Sequence, residues 1–270
     1  MCELFGMSAN QSATVSFSLM KFAEHGGHIG PHKDGWGIGY YAGRDVRLIK
    51  EAEAAANSDW VRFMMDHAIE TCLAIAHVRR ATMGARTFVN TQPFTRELAG
   101  RRHLFAHNGK LPGIFSAKAF VHERFHRLGE TDSEYAFCSL MQRLSTLWIE
   151  PERPPPLESR LEAVASFARE LRAFGPANFL YADGEVLFAH GHCRTQPDTG
   201  ELGPPGLVRL YRRCRAGADA FSTRGLSIDA MDQDVTLFAS LPLTDEAWEP
   251  LAEGEVIAVR EGHIVAGMQA

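Results

Sequence analysis

Short apolar runs alternate with polar breaks along this chain, and the runs carry two periods. At the start, Cys2-Glu3-Leu4-Phe5-Gly6-Met7-Ser8-Ala9-Asn10 mixes apolar with small or polar residues in a loose rhythm of two, which predicts a strand. Val15, Leu19 and Phe22 share one face of a helix expected from about Thr14 to Ala23, stopped by Gly26-Gly27. In Asp34-Gly35-Trp36-Gly37-Ile38-Gly39-Tyr40-Tyr41 the glycines alternate singly, which predicts a strand closely approached by other backbone. A dinucleotide-binding loop is excluded there, because Tyr-Tyr follows where a helix should open. Val46 to Lys50 is its expected hairpin partner.

Asn57-Ser58 caps an expected helix whose Trp60, Phe63, Met64 and His67 share a face. A buried strand, Cys72 to Val78, delivers His77-Val78-Arg79-Arg80-Ala81-Thr82 at its end. Asn90 to Phe94 reads as loop, and Leu104-Phe105-Ala106 as a strand delivering His107-Asn108-Gly109. Thr131 and Glu134 have the capping-box spacing, ahead of a helix backed by Phe137, Leu140, Met141, Leu144 and Leu147. Pro151 to Pro156 reads as a surface loop, since too few strands follow to build a separate core. Beyond it come a helix from Leu157 to Phe174 and strands Asn178 to Ala182 and Glu185 to Ala189 about a two-residue turn, Asp183-Gly184. Gly191 to Gly206 reads as loop; further strands are expected at Leu207–Arg213, Val235–Ser240, Val256–Arg260 and His263–Ala266. Strands, helices, then strands again predict an α+β fold, antiparallel sheets packed together with helices outside.

Composition narrows the classes. The 270 residues are read as one domain, 1–270, with the chemistry-bearing motifs in about 2–150 and the elements of 157–270 completing it. A net charge of -5 and the lack of a dense basic run argue against nucleic acid, and Cys72-Leu73-Ala74-Ile75-Ala76, the longest apolar stretch, is too short to span a membrane. The five cysteines are irregularly spaced with no CxxC, so neither a zinc site nor a disulfide framework is signalled, and a reducing compartment, the cytoplasm, is expected. Neither His25, His28 and His32 nor His190, His192 and Cys193 has a recognised ligand spacing; no metal and no cofactor are expected. Trp36, Trp60, Trp148 and Trp248 are read as packing residues.

The candidate chemistry sits at the start. Cys2 follows the initiator methionine and is small enough that removal of Met1 is expected, leaving thiol and α-amine on one residue. A free thiol titrates near ~8.5 and an α-amine near ~7.7–8.0, a match for proton transfer near neutrality. Arg79, Asn108-Gly109 and Asp132 each have an ordinary explanation as surface cation, turn pair and helix-start carboxylate.

Together with Cys2-Glu3-Leu4-Phe5-Gly6, Asp34-Gly35-Trp36-Gly37, His77-x-Arg79-x-Ala81-Thr82, Asn90-Thr91-x-Pro93-Phe94, His107-Asn108-Gly109 and Glu130-Thr131-Asp132-Ser133-Glu134, the chain resembles the class II glutamine amidotransferases, members of the N-terminal-nucleophile hydrolases. The match spans roughly residues 2 to 138. Pro31-His32-Lys33-Asp34 and Pro242-Leu243-Thr244 point to the stand-alone, single-domain type. The resemblance implies a four-layer αββα sandwich and hydrolysis of a glutamine side-chain amide through a Cys2 thioester. Asn108 and the Gly109 N–H would form the oxyanion hole, Arg79 would take the substrate α-carboxylate, Asp132 its α-ammonium, and Thr82 a further contact. His25-Gly26 stands where the family has Arg-Gly supporting the nucleophile; Arg80, Met83 and Gln92 also depart from its pattern. Glutamine is the leading substrate; either a separate synthase subunit accepts the ammonia or the chain works alone as a hydrolase, with the oligomeric state left open. Two alternatives stand beside this: a γ-glutamyl hydrolase acting on a γ-glutamyl peptide or thiol compound, and a catalytically silent binding module.

Overall fold

The computed structural model describes residues 2–14, 22–27, 30–67, 69–151, 153–214 and 233–270. The strands are β1 (Glu3–Thr14), β2 (Trp36–Ala42), β3 (Asp45–Glu51), β4 (Glu70–Val78), β5 (Phe94–Leu98), β6 (Arg101–Gly109), β7 (Ala177–Ala182) and β8 (Leu187–His190). They continue as the two-residue β9 (Arg194–Thr195) and β10 (Leu202–Gly203), then β11 (Val208–Cys214), β12 (Gln233–Ala239), β13 (Glu249–Pro250), β14 (Glu255–Arg260) and β15 (His263–Gln269). Helices α1 (Asp59–Asp66), α2 (Asp132–Leu144) and α3 (Leu157–Leu171) are the longer ones among the described residues.

Two antiparallel sheets take strands from both ends of the chain. One runs β13-β11-β12-β1-β4-β2-β3, the other β15-β14-β8-β7-β6-β5. Because side chains alternate along a strand, each sheet has an inner and an outer face. Leu4, Ile75, Leu104, Ala106, Leu180, Leu187 and Ile257 pack between the sheets. Phe5, Met7, Trp36 and Leu237 face outward and meet Phe22, Val61 and Met64, where α1 covers the first sheet. Phe105, Phe179 and Phe188 face outward from the second sheet onto Phe137 and Phe167 of α2 and α3. The Phe105 and Phe137 rings stack at 5.1 Å between centroids, which fixes the start of α2 over β6. Each such fully buried ring stabilises by about 1.5–3 kcal/mol. Helix, sheet, sheet, helix is the four-layer order expected.

Several local expectations change. The helix expected from Thr14 falls largely on residues 15–21, outside the described residues; Thr14 itself ends β1, and residues 22–25 are helical. Ser58 does cap α1, accepting the Val61 N–H at 3.2 Å. Its buried face, however, is Val61 and Met64, while Trp60 and Phe63 are about half exposed at 51% and 48%. Trp60 meets Phe63 edge to face and Phe63 stacks on His67, away from the sheet, so Trp60 is not a core residue. Strand β5, paired with β6, was not expected, because Thr95-Arg96-Glu97 interrupts its apolar pattern. The turn after β7 holds four residues, since Ala182 pairs directly with Leu187. The Asp183 carboxylate accepts the Glu185 and Val186 N–H groups and pairs with buried Arg160, and this stabilises the wider turn. The loop after β8 contains the β9–β10 ribbon.

Candidate active site

Strand parity decides which groups meet. In β1, Leu4 points between the sheets and Phe5 away, so Cys2, two residues before Leu4, starts on the inner side. In β6, Leu104 and Ala106 point inward, so Asn108 does too, while Phe105 and His107 point toward α2. In β4, His77 pairs with Leu4 and shares the inner face with Ile75, carrying Arg79 onward along it. Three strand ends therefore open on one cleft, lined by Cys2, Arg79 to Met83, Asn90, Gln92, His107, Gly109 and Thr131 to Ser133. Its free space is about 20 Å³, roughly one water molecule.

The Cys2 Sγ accepts the Arg80 backbone N–H at 3.2 Å and lies 3.4 Å from the Arg80 carbonyl oxygen. Burial pushes the thiol above its ordinary value; the Arg80 N–H and the Arg79 charge pull it back, and Asp132 opposes them.

Gly109 is fixed by contact. A Cβ placed on it would lie 1.7 Å from the Pro176 carbonyl oxygen, so only glycine fits. His107, just before, is locked from two sides. Its N–H donates to Gln92 Oε1 at 2.7 Å, and its carbonyl accepts from Gln92 Nε2 at 3.1 Å. Burial lowers the His107 ring below its ordinary value, so it is neutral. Its Nε2 lies 3.2 Å from the Pro176 carbonyl, which can only accept, so Nε2 carries the hydrogen. Its Nδ1 then accepts from the Ser133 hydroxyl at 2.9 Å. Asn178, directly across the ladder from Asn108, donates to the Asn108 carbonyl at 3.1 Å.

Arg79 lies in the cleft wall, but its guanidinium is engaged. It donates to the carbonyls of Ala85, Met83 and Gly84 at 3.0, 3.0 and 3.1 Å, folding residues 80–86 back over the opening. Asp34 helps hold that loop, accepting the Ala81 N–H at 2.7 Å and pairing with Arg86 at 2.5 Å. Asp132 accepts from the Leu111 and Ser133 N–H groups at 2.8 and 2.9 Å, so the carboxylate is aimed by backbone, with lone pairs to spare. The Thr131 side chain caps α2 through the Glu134 N–H at 3.2 Å, as the spacing predicted. Thr82 lines the cleft beside Cys2.

His25 reaches the outer side of this end. Its Nδ1 donates to Glu3 Oε2 at 2.7 Å, and His32 Nδ1 donates to the His25 carbonyl at 3.1 Å. Gly26 packs against Ala55, leaving 2.7 Å where its Cβ would be. Burial alone would raise the Glu3 carboxyl, but His25, with His32 and Arg194 beyond it, holds it below the ordinary 4.5. A carboxylate lowered by folding stabilises the fold above its unfolded value and stops doing so as pH falls through its folded one. Glu3→Gln is therefore expected to unfold more easily than the parent at pH 7, with the difference shrinking below about pH 4.5. Urea titrations at pH 7 and pH 4 measure both; a gap that stays constant would remove the ion pair from the account.

Sequence reasoning did not single out Gln92 as a backbone clamp, nor Asn178, Ser133 or Ser240. Gln92 carried a signal as a departure from the family motif, and Ser133 stood inside the Glu130–Glu134 motif without a role of its own. Among the described residues, no group of three His, Cys, Asp or Glu side chains is placed to hold a metal. None of their helices is long and apolar enough to cross a membrane.

Two facing antiparallel sheets with covering helices, and a thiol at the head of a central strand, give the N-terminal-nucleophile hydrolase fold. The family model of the class-II glutamine amidotransferases matches residues 1–270, and the chain belongs to that family. It is 38% identical over 261 residues to YafJ of Escherichia coli (strain K12), covering 94% of this chain and 96% of that one. It is 30% identical over 270 residues to MJ1515 of Methanocaldococcus jannaschii, covering 98% and 71%. Among solved structures, a predicted glutamine amidotransferase from Pseudomonas aeruginosa PA01 superposes with a TM-score of 0.67 at 31% identity, covering 98% of this chain and all 100% of that one. The phosphoribosylpyrophosphate amidotransferase of B. subtilis has a TM-score of 0.61 at 16% identity, with 49% of its chain covered, a likeness of fold.

Proposed function

We propose that this protein hydrolyses the side-chain amide of glutamine through a thioester on Cys2, yielding glutamate and ammonia. The observation that carries the reading is convergence: a thiol, a glycine whose place no side chain can take, an arginine and a carboxylate share one small cleft. With Met1 removed, the Cys2 α-amine takes the thiol proton as sulfur attacks the amide carbon. The oxyanion takes hydrogen bonds from the Gly109 N–H and the Asn108 amide. The proton passes to the leaving nitrogen, ammonia departs, and water, deprotonated by the same amine, cleaves the thioester.

A cleft with about 20 Å³ of free space does not hold glutamine, so entry requires residues 80–86 to lift. Arg79 then exchanges loop carbonyls for the substrate carboxylate, a stronger, charged acceptor. Asp132 receives the α-ammonium, and Thr82 adds a contact. In this reading the ammonia passes to an acceptor on a separate synthase subunit, in a cytoplasmic setting that keeps the thiol reduced.

Two measurements test it. Intact mass after treatment with an electrophilic glutamine analogue is expected to show a chain without Met1 and one adduct, at Cys2. Steady-state rates are expected to favour glutamine over γ-glutamyl peptides. An unlabelled Cys2 in trimmed protein would make the chain a silent binding module; a γ-glutamyl peptide faster by orders of magnitude would make it a γ-glutamyl hydrolase.

A further inference from the structure

Ser240, one residue beyond β12, ties the strand that carries Cys2 to the strand that carries Asn108. Its N–H donates to the Leu4 carbonyl at 3.0 Å, and its Oγ accepts the Leu4 N–H at 2.9 Å. The Asn108 amide nitrogen lies 3.3 Å from the same Oγ. Buried Arg194 donates to the Ser240 carbonyl and so holds the residue from a fourth direction. Ser240 is itself buried, at 3% exposure, between the two sheets.

Hydrogen-bond accounting sets the direction of the Asn108 amide. With its nitrogen toward Ser240, the Oγ accepts twice and the hydroxyl hydrogen has no acceptor among the described residues. The amide oxygen is then buried without a partner as well. The oxygen and nitrogen of a carboxamide are alike in size, and hydrogen bonding decides between them. Turned over, the amide oxygen accepts the Ser240 hydroxyl hydrogen while Oγ still accepts from Leu4. Every group on Ser240 is then paired, and the atom left without a partner is an N–H₂, a donor waiting for an acceptor. Leaving a buried polar atom unpaired is unfavourable, and an oxyanion is the acceptor that would recover it.

We propose that Ser240 is a positioning residue: its hydroxyl turns the Asn108 amide so that N–H, not C=O, is offered to the oxyanion formed at Cys2. This rests on the reading of Asn108 as an oxyanion donor. The two are separable, because Asn108→Ala tests that reading alone and is expected to lower kcat for glutamine by ~10²–10³.

The experiment is a double-mutant cycle on the full chain, with Ser240→Ala, Asn108→Ala and both together. Ser240→Ala is expected to lower kcat by about ten- to a hundredfold with KM unchanged within twofold. Binding of glutamate γ-semialdehyde, which forms a tetrahedral adduct with the Cys2 thiol, is expected to weaken by a similar factor, whereas glutamate binding is not. The double variant is expected to be no slower than Asn108→Ala alone, since the proposal has Ser240 act on catalysis through that amide, while loss of its bond to the Leu4 N–H is read in the unfolding midpoint. Should Ser240→Ala fail to fold, Ser240→Cys keeps the shape with a weak donor and is expected to show the same kcat loss and the same cycle. Losses that multiply in the double variant, a change confined to KM, or a Ser240 variant with unaltered turnover would each overturn the proposal. If Asn108→Ala itself turned over normally, the oxyanion reading would fail first.

Discussion

Cys2→Ala is expected to abolish glutamine hydrolysis, with a fall in kcat on the order of 10⁴-fold or more, and to leave the fold in place. The catalytic half follows from the chemistry. Alanine offers no nucleophile, and the remaining groups can only orient glutamine and stabilise charge that never develops. The structural half follows from position. Cys2 lies ahead of the first residue of β1, and its side chain bonds the backbone of Arg80. Glutamate release and thermal unfolding, measured on the same preparation, separate the two halves. Turnover surviving in the alanine variant would move the nucleophile elsewhere.

Gly109→Ala is expected to lose activity and stability together. The added Cβ would sit 1.7 Å from the Pro176 carbonyl oxygen and 2.8 Å from His107 Nε2. Both neighbours are fixed, Pro176 by the adjoining Ala177, which pairs with Gly109, and His107 by Gln92 and Ser133. The conflict is with backbone, so β6 and β7 must part by more than an ångström. Overpacking of that kind costs about 1–3 kcal/mol. The displaced N–H leaves the oxyanion with one donor fewer, about 10²–10³ in kcat. A variant with kcat within threefold of the parent and an unchanged unfolding midpoint would show that β6 and β7 accommodate a Cβ here, against the claim that only glycine fits.

The contrast between these residues and Ser240 shows what a sequence can carry. Cys2, His107-Asn108-Gly109 and Thr131 to Glu134 stand in short contiguous motifs, so the resemblance to the family exposes them. The strands β1, β4 and β6 are equally local signals, but both faces of each are buried, so which side chains meet the partner sheet is read only from the packing. Ser240 has no such signal, because its role comes from meeting Leu4 and Asn108, 236 and 132 positions away. The outward turn of Trp60 and Phe63 escapes periodicity for a related reason. A helix of eight residues has two plausible apolar stripes, and only the sheet beneath selects Val61 and Met64. Arg79 was legible as a residue facing the site, whereas its present partners belong to a loop whose path no pattern encodes.

Strand β1 lies between β4 and β12, and its register pairs Phe5 with Ala239. The first strand therefore has no neighbour on one side until nearly the whole polypeptide has left the ribosome. The sheet that begins with the first strand is thus among the last parts of the fold to be completed, and a chain cut short before β12 leaves one edge of β1 unpaired.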